Sequence, residues 1–163
     1  RVLASNPHRW SIVLTHQPFF SPRDGRDNEM LRQHLLPVLR KHRVDLVLQG
    51  HDHVYGRRLA DGASTPVFVV SVAGAKQYRL SGEARETMRP VAEDTQLFQV
   101  VRIDGTRLRY EARTATGRLY DAFELLDDGA PGKRLLEVEE DRIAERACMR
   151  SQTLKGRSDR CWE

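Results

Sequence analysis

Nowhere in these 163 residues do apolar side chains run for the ~20 positions that a membrane-spanning helix needs, so no membrane span is expected. The opening, Arg1-Val2-Leu3-Ala4-Ser5, has neither an initiator methionine nor the apolar core of a secretory leader. It reads as the last turn of a helix stopped by Asn6-Pro7, and a chain that opens there is expected to be truncated. Cysteine is scarce. Cys148 and Cys161 have no second Cys or His pair beside them, which argues against a metal-binding knuckle. They either close a disulfide loop in an oxidising compartment or remain two free thiols. A strong charge of one sign is also missing: 27 basic and 23 acidic residues leave a net charge of +4, with the signs interspersed. No basic stripe with interleaved aromatics is present, so no nucleic-acid partner is expected. The small excess suits solubility and leans toward anionic substrates.

What is present is the make-up of one soluble domain, 39% hydrophobic and 31% charged, of a length that buries roughly 70% of its unfolded surface. Ser11 to Thr15 is a short strand-type run ending at His16. After the loop Ser21-Pro22-Arg23-Asp24-Gly25, a helix is expected from Asn28, capped by Asn28 or Asp27, with Leu31, Leu35, Val38 and Leu39 as its apolar face. Pro37 should kink that helix or shift its register, and Lys41, His42 and Arg43 suit its C-terminus. Val44 to Gln49 and Val67 to Ala73 are apolar enough for strands buried on both faces. The polar stretch from Ala75 to Asp94 reads as a long loop. Thr95 to Ile103, Arg107 to Thr114 and Arg118 to Leu126 then form an antiparallel meander turned by Asp104-Gly105 and Thr116-Gly117. Leu108, Tyr110 and Ala112 face its core, and Arg107, Arg109, Glu111 and Arg113 its wet side. Beyond the break at 127–132, a charged helix is expected over Lys133 to Arg150, docked on the core.

The strand–helix–strand unit from Ser11 to His53 makes its two strands parallel. His16 then lies at the carboxyl end of the first, and His51 and His53 at the carboxyl end of the second, where open α/β sheets bind ligands. In an extended segment His51 and His53 would project to the same side, with Gly50 easing a sharp turn. Three imidazoles converging there describe a metal site.

These residues carry a resemblance. Val13-Leu14-Thr15-His16 resembles the Val-x-x-His block of the purple acid phosphatase and calcineurin-like metallophosphoesterase families, and Gly50-His51-Asp52-His53 their Gly-His-x-His block. Val54-Tyr55-Gly56-Arg57 is similar to the residues that follow the second block, and Asn6-Pro7 with Trp10 to those that lead into the first. The resemblance implies an α/β fold whose mixed sheet starts parallel and ends in an antiparallel meander, half of a four-layer α/β/β/α sandwich. It makes residues 1–127 the C-terminal part of a metallophosphoesterase domain and 128–163 a helix and tail. It implies that His16 and His51 bind one metal ion and His53 the other, in a pair ~3.5–4 Å apart bridged by an Asp and a hydroxide. The ions would be iron, zinc or manganese, and a secreted or periplasmic location goes with the family and with the cysteine pair.

The family's Asp-x-Gly, Gly-Asp-x-x-Tyr and Gly-Asn-His blocks have no counterpart here. They precede Val-x-x-His in the family, so the missing N-terminal half of the domain is an expected partner, alongside a small phosphate-ester substrate. Without the bridging carboxylate the chain alone is expected to be inactive, and no catalytic side chain beyond the metal ligands is assigned. The loop Phe19 to Asp27 lacks the family's substrate-binding histidines and offers only Arg23 and Arg26 as cations. Lys76, Tyr78 and Arg79 would meet a phosphate if their loop covers the metals. His8, His34 and His42 are expected at the surface, Asp52 in a turn or behind the ligands, and Trp10 in the core. Metal-dependent phosphate-ester hydrolysis is the expected function, of a monoester or a diester; a non-catalytic metal-binding or interaction module is the alternative.

Overall fold

Strand β1 (Ile12–Thr15), helix α1 (Glu29–Lys41) and strand β2 (Leu46–Gln49) form the expected crossover unit. The two strands are parallel, Ile12 opposite Leu46 and Thr15 opposite Gln49, so the residues that follow each emerge at the same end. In this computed structural model the structure describes residues 1–60, 64–71, 73–129 and 132–147, with the backbone of 153–154 and 157–158. Cys148 and Cys161, read as either a disulfide or two free thiols, lie outside the described residues. The opening helical turn is one tight turn, Leu3–Ser5. Among the described residues no helix is long and apolar enough to cross a membrane.

Helix α1 runs through Pro37 without a break. Its buried ridge is Leu36 and Leu39, with Leu31 beside it, whereas Leu35 and Val38 of the expected face are 45% and 41% exposed. Helical periodicity marks an apolar stripe, and packing against Phe19, Val47 and Phe68 decides which edge of the stripe meets the sheet. Asn28 does sit at the cap position, yet its amide donates to the Pro18 carbonyl (2.7 Å) rather than capping the helix.

The first sheet adds β3 (Tyr55–Leu59), β4 (Val67–Val70) and β5 (Val91–Ala92), in the order β1-β2-β4-β3-β5. β4 continues the parallel start, and β3 and β5 run antiparallel to their neighbours. Gly56 on β3 allows a close approach: a Cβ there would lie 2.7 Å from Met88 Sδ and 3.1 Å from Pro22 Cβ. The long loop expected from Ala75 to Asp94 contains β5 and a short helix α2 (Gly82–Thr87). Its sequence signal was Ser81, whose Oγ accepts from the Ala84 N–H at 2.9 Å.

The second sheet is the expected meander, β6 (Leu97–Asp104), β7 (Arg107–Thr114) and β8 (Leu119–Leu126), extended by β9 (Arg134–Glu137). Gly105 and Gly117 turn the hairpins at φ 54° and 84°. β9 corrects the expected C-terminal helix, of which the described part to Ala147 shows none. Residues 134–137 pair instead with β8, Arg134 opposite Leu126 and Phe123 opposite Glu137. The free hydrogen-bonding edge of β8 and the apolar contact of Leu135 outweigh a modest helix propensity. Two further short strands, β10 (Thr153–Leu154) and β11 (Arg157–Ser158), pair with each other.

The two sheets pack face to face over Leu46, Tyr55, Val67 and Val69 on one side and Leu108, Tyr110, Phe123 and Leu125 on the other. With α1 on the far face of the first sheet, the described layers run helix, mixed sheet, antiparallel sheet. Trp10 packs at the edge of this core and donates its indole N–H to the Gly105 carbonyl at 3.0 Å.

One ion network crosses between the sheets. Arg57 of β3, 4% exposed, donates to Asp121 of β8 through Nε (2.7 Å to Oδ2) and Nη2 (3.2 Å to Oδ1). It also grips both carboxylate oxygens of Glu137 on β9 at 2.7 Å. Tyr55 donates to Asp121 at 2.6 Å, and Arg142 lies 3.0 Å from its other oxygen. Arg57, part of the similarity after the histidine block, thus acts as a fastener between sheets.

The wet face of the second sheet also differs from the alternation. Glu111 is buried, 2% exposed, beneath Arg102, Arg109 and Arg113, which bond it at 3.0, 2.8 and 2.9 Å. Burial alone would raise its pKa, but the bonds from Arg113, Arg109 and Arg102 outweigh that and hold it at about 2. A depressed carboxylate contributes stability above its unfolded pKa, near 4.5, that is lost as pH falls through about 2. Glu111→Gln is therefore expected to lower stability at pH 7 by about 1–3 kcal/mol and to flatten the acid limb of stability between those pH values. Urea unfolding as a function of pH checks this; parallel acid limbs for the two proteins would refute it.

Candidate metal centre

His16 follows β1 directly, and His51 follows β2 after Gly50. Parallel pairing brings them together: the Gly50 N–H donates to the His16 carbonyl (3.3 Å), and His16 Nε2 lies 2.9 Å from His51 Nδ1. The rings meet edge to face, centroids 4.8 Å apart. Gln49 braces the first loop from β2, its Oε1 accepting from the Phe19 N–H at 2.7 Å.

The sharp turn falls on a different residue from the one expected. Gly50 keeps a negative φ, while His51 takes φ 66°, a left-handed conformation that is uncommon outside glycine and clusters at functional sites. The Asp52 N–H returns to the Gly50 carbonyl at 2.7 Å, so the segment is coiled rather than extended. His51 and His53 consequently meet different neighbours, contrary to the extended-segment expectation. His53 Nδ1 lies 2.9 Å from the Lys76 carbonyl, and its ring stands edge-on to Tyr78 at 5.0 Å. A carbonyl only accepts, so His53 carries a proton on Nδ1, which leaves Nε2 as the nitrogen that a metal would take in the neutral ring.

Asp52 is fully buried behind this turn. Ser21 donates to its Oδ2 at 2.5 Å, and Arg26 Nε is 3.0 Å from Oδ1, an ion pair without hydrogen-bond alignment. Both partners lie on the loop after His16, so Asp52 ties that loop to the histidine turn from behind. The pKa of His51 is lowered, by burial first and by the positive charge of Arg26 second. A lowered pKa keeps the imidazole neutral at pH 7, the form that binds metals. His8 and His34 are exposed and His42 half-buried on the helix end, away from these contacts, as expected.

The donor chemistry fits a metal in part. Imidazole nitrogens suit zinc and iron, and a 2.9 Å separation is about that of two nitrogens at neighbouring positions of one ion with bonds of ~2.0–2.1 Å. His53 presents an available nitrogen on the same turn. Among the described residues no group of three His, Cys, Asp or Glu side chains converges to complete a site. Asp52, the carboxylate between two of the histidines, is already engaged by Ser21 and Arg26. Sequence reasoning missed those two partners, because nothing in Ser21 or Arg26 themselves says that the loop folds back onto residue 52.

Comparison with known proteins covers this same region. A sequence model of the calcineurin-like phosphoesterase family matches residues 2–55. Purple acid phosphatase 17 of Arabidopsis thaliana is 33% identical over 138 residues, covering 82% of this chain and 38% of that protein. Purple acid phosphatase 3 of the same plant is 32% identical over 71 residues, covering 44% and 19%. The chain thus spans less than half the length of these relatives. Among solved structures, purple acid phosphatase PPD1 from yellow lupin (Lupinus luteus) superimposes with a TM-score of 0.64 at 22% identity, over 78% of this chain and 27% of that one. GAP50, the anchor in the inner membrane complex of Plasmodium, gives 0.53 at 17% identity, over 85% and 40%. Both share the α/β architecture of two packed sheets described above. With the histidine blocks lying inside or at the edge of the matched segments, this chain belongs to the calcineurin-like phosphoesterase superfamily and is purple acid phosphatase-like.

Proposed function

We propose that this chain carries the histidine share of a two-metal centre that hydrolyses phosphate esters, with the carboxylate ligands supplied by a segment outside this sequence. The observation that supports it most is the 2.9 Å approach of His16 Nε2 and His51 Nδ1 at the carboxyl ends of parallel neighbours. In this reading His16 and His51 hold one ion and His53, through Nε2, contributes to the other. When bound, such a pair of ions supplies Lewis acidity and an activated water at neutral pH. The surroundings in this chain lower the pKa of His51, place the Nδ1 proton of His53 on the Lys76 carbonyl, and hold the two loops together through Asp52. Neutral ligands leave the positive charge of the ions uncancelled, which suits a phosphate dianion.

The test is metal binding and turnover by the chain as it stands. Equilibrium dialysis against zinc is expected to show binding that His16→Ala and His51→Ala each remove, with no measurable hydrolysis of p-nitrophenyl phosphate. Hydrolysis by this chain alone, abolished by His51→Ala, would show that no outside carboxylate is needed. Zinc binding indifferent to both substitutions would sink the metal reading.

A second reading, a non-catalytic module of the same fold, is favoured by the absence of a complete three-ligand group among the described residues. It is kept if a longer chain containing these residues binds no metal at the histidines.

A further inference from the structure

Two cations lean on one aromatic ring beside His53. Arg23 Cζ lies 4.1 Å from the centre of the Tyr78 ring and Lys76 Nζ 5.0 Å, and the same ring touches the His53 imidazole. Among the described residues neither Arg23 nor Lys76 forms an ion pair with a carboxylate. Arg26, on the same loop as Arg23, is different, because Asp52 already engages it.

The backbone builds this cluster. The Tyr78 N–H donates to the His53 carbonyl at 2.9 Å, fixing the ring to the histidine turn. The Asp24 N–H donates to the Arg79 carbonyl at 3.0 Å and the Ser81 N–H to the Pro22 carbonyl at 2.9 Å, while Arg23 and Leu80 form an antiparallel bridge. The loops that bear the two cations are therefore tied to each other and to residue 53 before any ligand arrives, which lowers the ordering cost of binding. Two cations gathered at one ring make the local potential positive, and an anion bound beside them relieves that. A guanidinium stacked on a ring keeps its N–H edge free for a bidentate acceptor.

We propose that Arg23 and Lys76, seated on Tyr78, form an anion clamp that holds a second charged group of the substrate while its reacting phosphate sits at the histidines. The substrate class is then phosphate compounds whose leaving group is itself anionic. This rests on the metal reading above, and it assigns to Arg23 and Lys76 the recognition role that no histidine in the loop Phe19 to Asp27 can fill.

Calorimetric titration of the metal-free chain with inorganic pyrophosphate tests the clamp, since pyrophosphate would otherwise compete for metal. A parallel zinc titration without pyrophosphate, on the wild-type chain and His51→Ala, tests the metal reading. Pyrophosphate is expected to bind, and Arg23→Gln and Lys76→Gln each to weaken it about ten-fold. Arg118→Gln, an exposed cation elsewhere, is expected to change nothing, and circular dichroism checks that each variant is folded. Wild-type pyrophosphate affinity in both clamp variants, or equal losses in Arg118→Gln, overturns the clamp while leaving the metal reading standing. Zinc binding that ignores His51 overturns the metal reading, and the clamp's role in catalysis with it.

Discussion

Replacing Asp121 with alanine is expected to destabilise this chain by about 3–5 kcal/mol, the usual cost of leaving a buried charge without its partner. Asp121 is fully buried, accepts two hydrogen bonds from Arg57 and one from the Tyr55 hydroxyl, and is ion-paired with Arg142 at 3.0 Å. Without it the Arg57 guanidinium, 4% exposed, keeps only Glu137, whose side chain is 41% exposed and correspondingly screened. The buried Tyr55 hydroxyl also loses its acceptor. Asn at 121 retains the shape but not the charge, so Asp121→Asn is expected to cost less than alanine and still well over 1 kcal/mol. The paired change Asp121→Leu with Arg57→Met removes both charges, and its cost is expected to fall below that of Asp121→Ala alone. Urea denaturation at pH 7 reads all three. If Asp121→Ala costs under 1 kcal/mol, the network is ornamental and the sheets are held by apolar packing alone.

His51→Ala is the change with the largest expected effect on ligand binding. Zinc affinity should drop by at least ~100-fold, since even residues that only orient a ligand cost 10–100-fold when lost. Stability is expected to move by no more than about 1 kcal/mol, because the imidazole is only half-buried and alanine at φ 66° carries a strain like that of histidine. Separating the two effects is the purpose of the experiment. Equilibrium dialysis with zinc, set beside thermal unfolding of the metal-free proteins, distinguishes a ligand from a structural residue. His34→Ala, exposed on α1, serves as the control and is expected to change neither quantity. Unaltered zinc affinity in His51→Ala would mean that the His16–His51 contact is only a hydrogen bond between surface imidazoles.

The readings that succeeded from sequence rest on local chemistry repeated along one element. Apolar runs of strand length, a helix with charged ends, and Asp-Gly and Thr-Gly turns each carry their own signal, and the crossover, the parallel pair and the meander followed from them, although the kink expected at Pro37 did not. His16 beside His51 followed too, since two strands joined through one helix must end on the same side. The misreadings share a cause. Leu35 and Leu36 have nearly the same claim on a helix face, and only the sheet chose between them. Residues 134–137 became a strand because β8 had an edge to fill, a fact about a distant segment. Glu111 reads as solvated in an alternating strand, yet three arginines from its own and neighbouring strands fold over it.

By itself, then, the sequence determined the α/β order of elements and the placing of three histidines at strand ends, because strand length, helix period and glycine turns are written in consecutive residues; the superfamily came from the resemblance of the blocks 13–16 and 50–53. Tertiary structure alone decided that His51 bends left-handed toward His16 while His53 turns to Lys76. It also decided that Asp52 is held from the first loop, and that Arg23 and Lys76 share one ring. Those contacts join residues tens of positions apart, and their energies depend on burial and approach distance, which exist only once the chain has folded.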